Sequence, residues 1–236
     1  MELTKDSHII KLFAYDLFYK NHIIIGTDEA GRGPAAGGVF ASAVCFQERS
    51  RKLVEELSIL NDSKQLSKKK RETLYNIIKD ATINHTVCVE VDEIEKINIL
   101  NASLKAMKLA VEDVLKRASL ADVLEGNLSK FLVLVDGNKM IKDFNLCSQK
   151  WVIKGDAKSA SIAAASILAK VARDRYMEKL DAEFPKYGWA KNAGYLTKEH
   201  LEAIDKYGLT KYHRPSFLKK HFEEKENKQK QLSLFQ

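Results

Sequence analysis

Two short apolar runs, each stopping abruptly at an aspartate with glycine close behind, constrain this chain most. Residues 22–27 (HIIIGT) lead into Asp28-Glu29-Ala30-Gly31-Arg32-Gly33-Pro34, and residues 131–135 (FLVLV) lead into Asp136-Gly137-Asn138. Runs this short, apolar and rich in β-branched residues are expected as buried strands. The carboxyl ends of such strands are where open α/β sheets commonly place their sites. Asp156 arrives in the same manner, in Lys154-Gly155-Asp156 behind an expected strand at residues 151–154.

Further strands are expected at residues 38–46 and 86–91, separated by helical segments, so the pattern predicts a mixed α/β sheet flanked by helices. Ile97, Leu100, Leu104, Met107, Val111 and Val114 recur every three or four residues, which places one apolar stripe on a helix. That stripe is core. Ser67 suits the N-cap of a helix over residues 68–79, and residues 161–180 form an alanine-rich helix able to pack closely on the sheet. The expected division is an N-terminal extension at residues 1–21, one α/β domain at 22–222 with a small helical C-terminal part, and a flexible tail at 223–236. The tail reads EEKENKQKQ, too polar to bury surface of its own.

Lysine and arginine exceed aspartate and glutamate to give a formal charge of +7. That balance favours polyanionic partners such as nucleic acid, although a solvated lysine-rich surface is an equally ordinary reading. Cys45, Cys88 and Cys147 are scattered and odd in number, which argues against a disulfide framework or a zinc site and fits a cytoplasmic protein. The apolar stretch near the N-terminus is broken by Lys11, Asp16 and Lys20, so neither a signal peptide nor a membrane span is expected.

An isolated Asp-Glu beside glycine is as often a turn former as a ligand pair, an Asp-Gly-Asn usually marks a turn, and an aspartate ahead of a helix is often a cap. Four carboxylates at the ends of strands of one sheet nevertheless have a shared use. Hard oxygen ligands hold Mg²⁺ while a substrate phosphate completes its coordination, and phosphoryl-transfer sites are built this way.

Read in order, GTDEAGRGPAAGGV, NDSKQLS, NILNASLKAM, VDGN and KGDAKSASIAAASILAKVARDRYM, followed by GYLTKEH and YHRPSF, resemble the successive motifs of the ribonuclease HII family across most of residues 22–217. The resemblance implies a ribonuclease H-like fold, and Asp28, Glu29, Asp136 and Asp156 as the acidic residues that bind Mg²⁺ or Mn²⁺ and serve catalysis. It makes Gly31, Arg32 and Gly33 the loop that senses a ribonucleotide through backbone groups, with Arg32 alternatively a salt-bridge partner. Main-chain reading of a 2′-hydroxyl requires residues without bulk. Tyr195 matches the family tyrosine that stacks on the sugar after the ribonucleotide, the alternative being a half-buried core tyrosine. Asn192-Ala193 stands where the family usually has His-Lys, a departure that touches a nearby phosphate contact and not the tyrosine.

Ser63 and Lys64 are expected at duplex phosphates, while the following Lys68 to Arg71 run reads either as a further contact or as a solvated helix face. Asp174, within ARDRYM, is expected in a structural ion pair with a neighbouring arginine, and His200 and His213 in structural roles. Gln231, Leu232, Leu234 and Phe235 resemble the peptide by which bacterial replication and repair proteins bind the sliding clamp. The implied activity is cleavage of RNA:DNA hybrids and nicking 5′ of ribonucleotides in duplex DNA by two metal ions, leaving 3′-hydroxyl and 5′-phosphate ends, in a monomer. The alternatives are a ribonuclease HIII-type nuclease, which would need a substantial N-terminal domain where only residues 1–21 precede the first strand, or a catalytically silent nucleic-acid-binding homologue.

Overall fold

The computed structural model describes residues 7–121 and 127–233. In chain order the elements are α1 His8–Leu17, β1 Ile23–Ala30, β2 Val39–Phe46, α2 Arg51–Glu56, α3 Lys68–Ala81, β3 Thr82–Val89, α4 Val91–Ile97, α5 Ile99–Ala121, β4 Phe131–Asp136, β5 Ser148–Val152, α6 Ala160–Glu183, α7 Trp189–Asn192, α8 Lys198–Tyr207 and α9 Pro215–Ser233. Among the described residues the strands form one sheet in the order β3-β2-β1-β4-β5. β1 pairs antiparallel with β2 and parallel with β4, and β4 pairs parallel with β5. The mixed sheet predicted from sequence is present. The strand expected at residues 151–154 lies earlier, at Ser148–Val152, because the backbone turns left-handed at Lys154 (φ 53°).

α5 covers one face. Its Ala102, Ala106, Met107, Ala110, Val111 and Val114 meet Ile25, Val133 and Val135 of the sheet. The expected stripe is therefore core, with two corrections: Asn98 at φ 65° breaks it, leaving Ile97 on α4, and alanines supply much of the contact. On the other face α6 lies so close that a Cβ at Gly26 would sit 2.2 Å from the Ser161 carbonyl carbon. Only glycine permits that approach.

The segment expected to stand apart as an extension does not. α1 buries Ile9, Leu12 and Phe13 against Val44, Phe46, Ala164 and Leu168. Its Asp16 carboxylate, 1% exposed, accepts from the Ser159 hydroxyl at the N-cap of α6 and from the Ser161 amide (2.9 Å) and hydroxyl (2.7 Å). A carboxylate at a helix N-terminus satisfies amides that the helix itself cannot and opposes its dipole. The C-terminal part forms its own cluster, in which Trp189, Ile204 and Leu218 pack on Ala35 and Ala36. The tail also departs from expectation. α9 continues to Ser233, through residues of good helix propensity, and residues 234–236 lie outside the described residues. Among the described residues no helix is long and apolar enough to cross a membrane.

Replacing Asp16 with alanine strands the buried donors of Ser159 and Ser161, at a cost of roughly 2–3 kcal/mol. Urea unfolding of the variant should show a lower midpoint with an unchanged denaturant slope.

Candidate active site

The parallel register of β1 and β4 pairs Thr27 with Val135, which sets Asp28 and Asp136 side by side where the two strands end. Both follow residues of the α6 face by two positions, Asp28 after Gly26 and Asp136 after Leu134, so both carboxylates leave the sheet on that face. Asp28 is 6% exposed and its Oδ1 accepts from the Glu29 amide (2.7 Å). The Ser166 hydroxyl of α6 also hydrogen-bonds it. Asp136 Oδ1 accepts from the Gly155 amide (2.7 Å), which fixes the turn carrying Asp156.

The electrostatics show how closely these groups crowd. Burial pushes the Asp28 carboxyl well above the usual carboxylate range, and the charges of Glu29 and Asp136 push it further. Burial also raises Glu29, with Asp136 adding and Arg32 opposing. Asp136 is raised by burial against the pull of the amides of Gly155, Asp156 and Gly137, and Asp156 by burial and then by Asp136. Burial alone would depress Lys64, yet Asp62, Asp28, Asp156 and Asp136 outweigh it and hold the ammonium above its ordinary value.

The structure thus brings together Asp28, Glu29, Asp136, Asp156 and Lys64. Ser63 differs from expectation, because its side chain is buried and its hydroxyl is spent on Ser166 (2.9 Å) behind Asp28 rather than facing a phosphate. Arg32 pairs with Glu29 (3.2 Å), the alternative left open for it. Asp174 pairs with Arg71 (3.2 Å), as expected of it, and this removes Arg71 from the solvated face. Among the described residues no three His, Cys, Asp or Glu side chains form a ready-made metal cage. Glu29 is held by Arg32, and one oxygen of Asp136 is held by Gly155. In donor chemistry the set still fits hard divalent cations: mutually repelling carboxylates, partly desolvated, with no soft ligand among them.

The segment 31–38 is held by two buried arginines that sequence reading passed over, Arg214 at Gly31, Pro34 and Gly37 and Arg173 at Ala36 and Gly38. Arg214, 0% exposed, donates through Nη1 to the carbonyls of Gly31 (2.8 Å) and Pro34 (2.7 Å) and through Nε to Gly37 (2.8 Å). Arg173, 2% exposed, donates to Gly38 (3.4 Å), Ala36 (3.0 Å) and Ala193 (3.0 Å). Gly31, at φ 105°, has no room for a Cβ, which would lie 2.3 Å from Arg173 Nε. Tyr195, 54% exposed, hangs over the same loop: a Cβ at Gly33 would be 3.2 Å from its ring.

The tyrosine's backbone is fixed from beneath. His200 Nδ1 lies 2.9 Å from the Tyr195 carbonyl, and His200 Nε2 takes the Trp189 indole N–H (3.0 Å) and faces His213 Nε2 (3.2 Å). His213 Nδ1 accepts from the Thr210 amide (2.9 Å). These partners assign Nδ1–H to His200 and Nε2–H to His213, both neutral. Burial drives His213 down to about 4. The structural roles expected for both histidines fit this network.

A family model described as ribonuclease HII matches residues 25–225. The ribonuclease HII of Fusobacterium nucleatum is 49% identical over 93% of this chain and 95% of its own length, and that of Rickettsia akari is 46% identical over 88% and 97%. The chain belongs to the ribonuclease HII family. It is therefore a ribonuclease, an endonuclease of the hydrolase class. Among solved structures, the ribonuclease H2 of Pyrococcus horikoshii OT3 aligns at 25% identity with a TM-score of 0.58, covering 82% of this chain and 92% of that one. The ribonuclease HII in the PCNA:RNase HII complex of Archaeoglobus fulgidus aligns at 23% identity with a TM-score of 0.62, covering 81% and 93%. A Bst-RNase HIII structure in complex with Mn²⁺ shares the fold (TM-score 0.59, 15% identity), with 88% of this chain but 67% of that one covered.

Arg214→Lys keeps the charge but loses the fork that reaches three carbonyls. It should slow cleavage by on the order of 10- to 100-fold, with a far smaller change in the pH profile, as expected when a loop is misplaced rather than an acid or base removed. Steady-state assays of wild type and variant across pH provide the check.

Proposed function

We propose that this ribonuclease cuts the RNA strand of RNA:DNA hybrids and nicks on the 5′ side of ribonucleotides embedded in duplex DNA, leaving 3′-hydroxyl and 5′-phosphate ends. The observation that carries the reading is the juxtaposition of three parts. A crowded carboxylate cluster stands at the ends of β1 and β4. A glycine loop whose Gly31 carbonyl is drawn in by Arg214 follows closely on Glu29, Arg173 holds the chain just beyond it at Ala36, and the exposed ring of Tyr195 lies on that loop.

In this reading Asp28, Glu29, Asp136 and Asp156 hold Mg²⁺ or Mn²⁺. Bound divalent ions would supply an activated water and charge stabilisation at the leaving oxygen. The protein's own groups do the rest. With the Gly31 carbonyl held inward, Gly31 and Gly33, having no side chains of their own, would offer backbone to a 2′-hydroxyl beside the Tyr195 ring. Tyr195 offers a flat face to the next sugar, and a ribose there would meet it differently from a deoxyribose. Lys64 brings a cation to the phosphate being cut. A fold relative, Bst-RNase HIII, has been solved in complex with Mn²⁺, which agrees with the donor chemistry here.

We further propose that Gln231, Leu232, Leu234 and Phe235 bind the bacterial sliding clamp, and that the protein works as a cytoplasmic monomer. Support for the clamp comes from the peptide pattern and from the Archaeoglobus fulgidus structure, a complex of PCNA with a ribonuclease HII. Deleting residues 231–236 should abolish clamp binding in a calorimetric titration and leave cleavage of short oligonucleotides unchanged. Equal affinity with and without the segment refutes the assignment.

The carboxylate cluster makes a test with two signs. All four groups are raised in the fold, so they contribute stability at acid pH that is lost as pH rises through their folded values. Without divalent ions, Asp28→Asn should therefore melt higher than wild type at neutral pH, by on the order of 1 kcal/mol in stability. The same variant should lose cleavage of a hybrid and of a single embedded ribonucleotide, with an all-DNA duplex as control. Normal turnover by Asp28→Asn in Mg²⁺ refutes the site.

A further inference from the structure

Away from the carboxylates, between α3, α6 and α7, lies a cavity of about 190 Å³. Lys68, Arg71, Lys170 and Lys191 line it, together with Asp174 and Glu178. Lys68 pairs with Glu178, and both Arg71 and Lys170 pair with Asp174. Four cations against two carboxylates leave the cavity wall with an excess of two positive charges.

The guanidinium of Arg71 supplies the second observation. Its Nη1 donates to the carbonyls of Ser63 (3.2 Å) and Leu66 (2.6 Å) and its Nη2 to Asp174 (3.2 Å), yet its Nε is buried with no hydrogen-bond partner. A buried donor left unmade is costly, and a charged one more so. An ion-pair clamp fastening α3 to α6 explains the bonds to Asp174. It explains neither the cavity, nor the arrival of Lys191 from α7, nor the unused N–H. An oxyanion in the cavity would account for the first two, because arginine and lysine bind phosphate oxygens with short, charge-assisted hydrogen bonds, and it would meet the third if the guanidinium turned to present Nε.

Position supplies the source of that oxyanion. Asp174 follows Ser166 by eight residues on the continuous helix α6, roughly 12 Å along its axis, and Ser166 touches Asp28. That interval corresponds to a few nucleotides along a bound strand. We propose that this cavity is a phosphate subsite, in which Arg71, Lys170 and Lys191 hold one backbone phosphate of the substrate duplex a few nucleotides from the bond that is cut. The identity of the donor rests on the ribonuclease reading above; the affinity of the cavity for a phosphate oxyanion does not.

Lys191 is exposed on α7, so Lys191→Gln should fold normally, and a melting curve in chloride buffer establishes that first. Inorganic phosphate, titrated at constant ionic strength, should raise the melting temperature of wild type and not of the variant. Duplex affinity, measured by fluorescence polarisation in EDTA so that nothing is cut, should fall for Lys191→Gln. The slope of log affinity against log salt should shrink by about 0.9, the release from one phosphate. A duplex series with one methylphosphonate moved stepwise along each strand should weaken wild type at a single position and leave the variant indifferent there. Under saturating substrate the variant's kcat should hold while its KM rises several-fold. Identical phosphate responses and identical salt slopes in the two proteins would overturn the subsite. A phosphate response with a flat methylphosphonate scan would overturn its assignment to the duplex. Phosphate binding in a protein that cuts no ribonucleotide-containing duplex would refute the activity and leave the subsite standing.

Discussion

Much of the candidate site is braced from α6, and α6 lies against β1 at Gly26 with no room for a side chain between them. Because the helix backbone rests directly on the strand, with no side chain between them, its successive turns meet fixed points of the site. Ser161 reaches Asp16, Ser166 reaches Asp28 and Ser63, Arg173 reaches the carbonyls of Ala36 and Gly38, and Asp174 reaches Arg71. A side chain at Gly26 would lift the helix, and every one of those contacts would slip together. Close packing transmits such strain rather than absorbing it.

Against that rigid frame the site carries two opposed electrostatic burdens. On one side, carboxylates are buried near one another and would be more comfortable protonated. On the other, two arginines are buried and donate to backbone carbonyls, and burial lowers Arg214 to about 10. The loop of residues 31–38 separates the two. The carbonyls of Gly31, Pro34, Ala36, Gly37 and Gly38 turn toward the arginines. The cost of burying cations is what orients the loop.

The strands were legible because a short apolar run ending in aspartate has few alternatives, and the same ends marked Asp28, Asp136 and Asp156. The sheet order was not, since pairing β1 between β2 and β4 depends on contacts far apart in sequence. Arg173 and Arg214 escaped notice because an arginine reads as a surface cation unless the carbonyls that receive it are known, and those come from residues 31–38. Ser63 misled for the opposite reason: a serine next to lysines reads as a phosphate contact, but here the chain turns its hydroxyl to Ser166. Charged residues inside an apolar stretch hid α1, because Asp16 looks like a solvated face until the N-terminus of α6 arrives to meet it.

That last pairing has a consequence for how the chain acquires its structure. Asp16 finds its partners at Ser159 and Ser161, 143 and 145 residues later. During synthesis α1 emerges early; Val44 and Phe46 follow soon after, but Asp16 lacks its hydrogen-bond partners until α6 exists. Closing so long a loop costs entropy before any contact repays it, which places the docking of α1 late in folding. Until then the Ser159 and Ser161 end of α6 is what the helix lacks, so the last contact of α1 to form is polar rather than apolar.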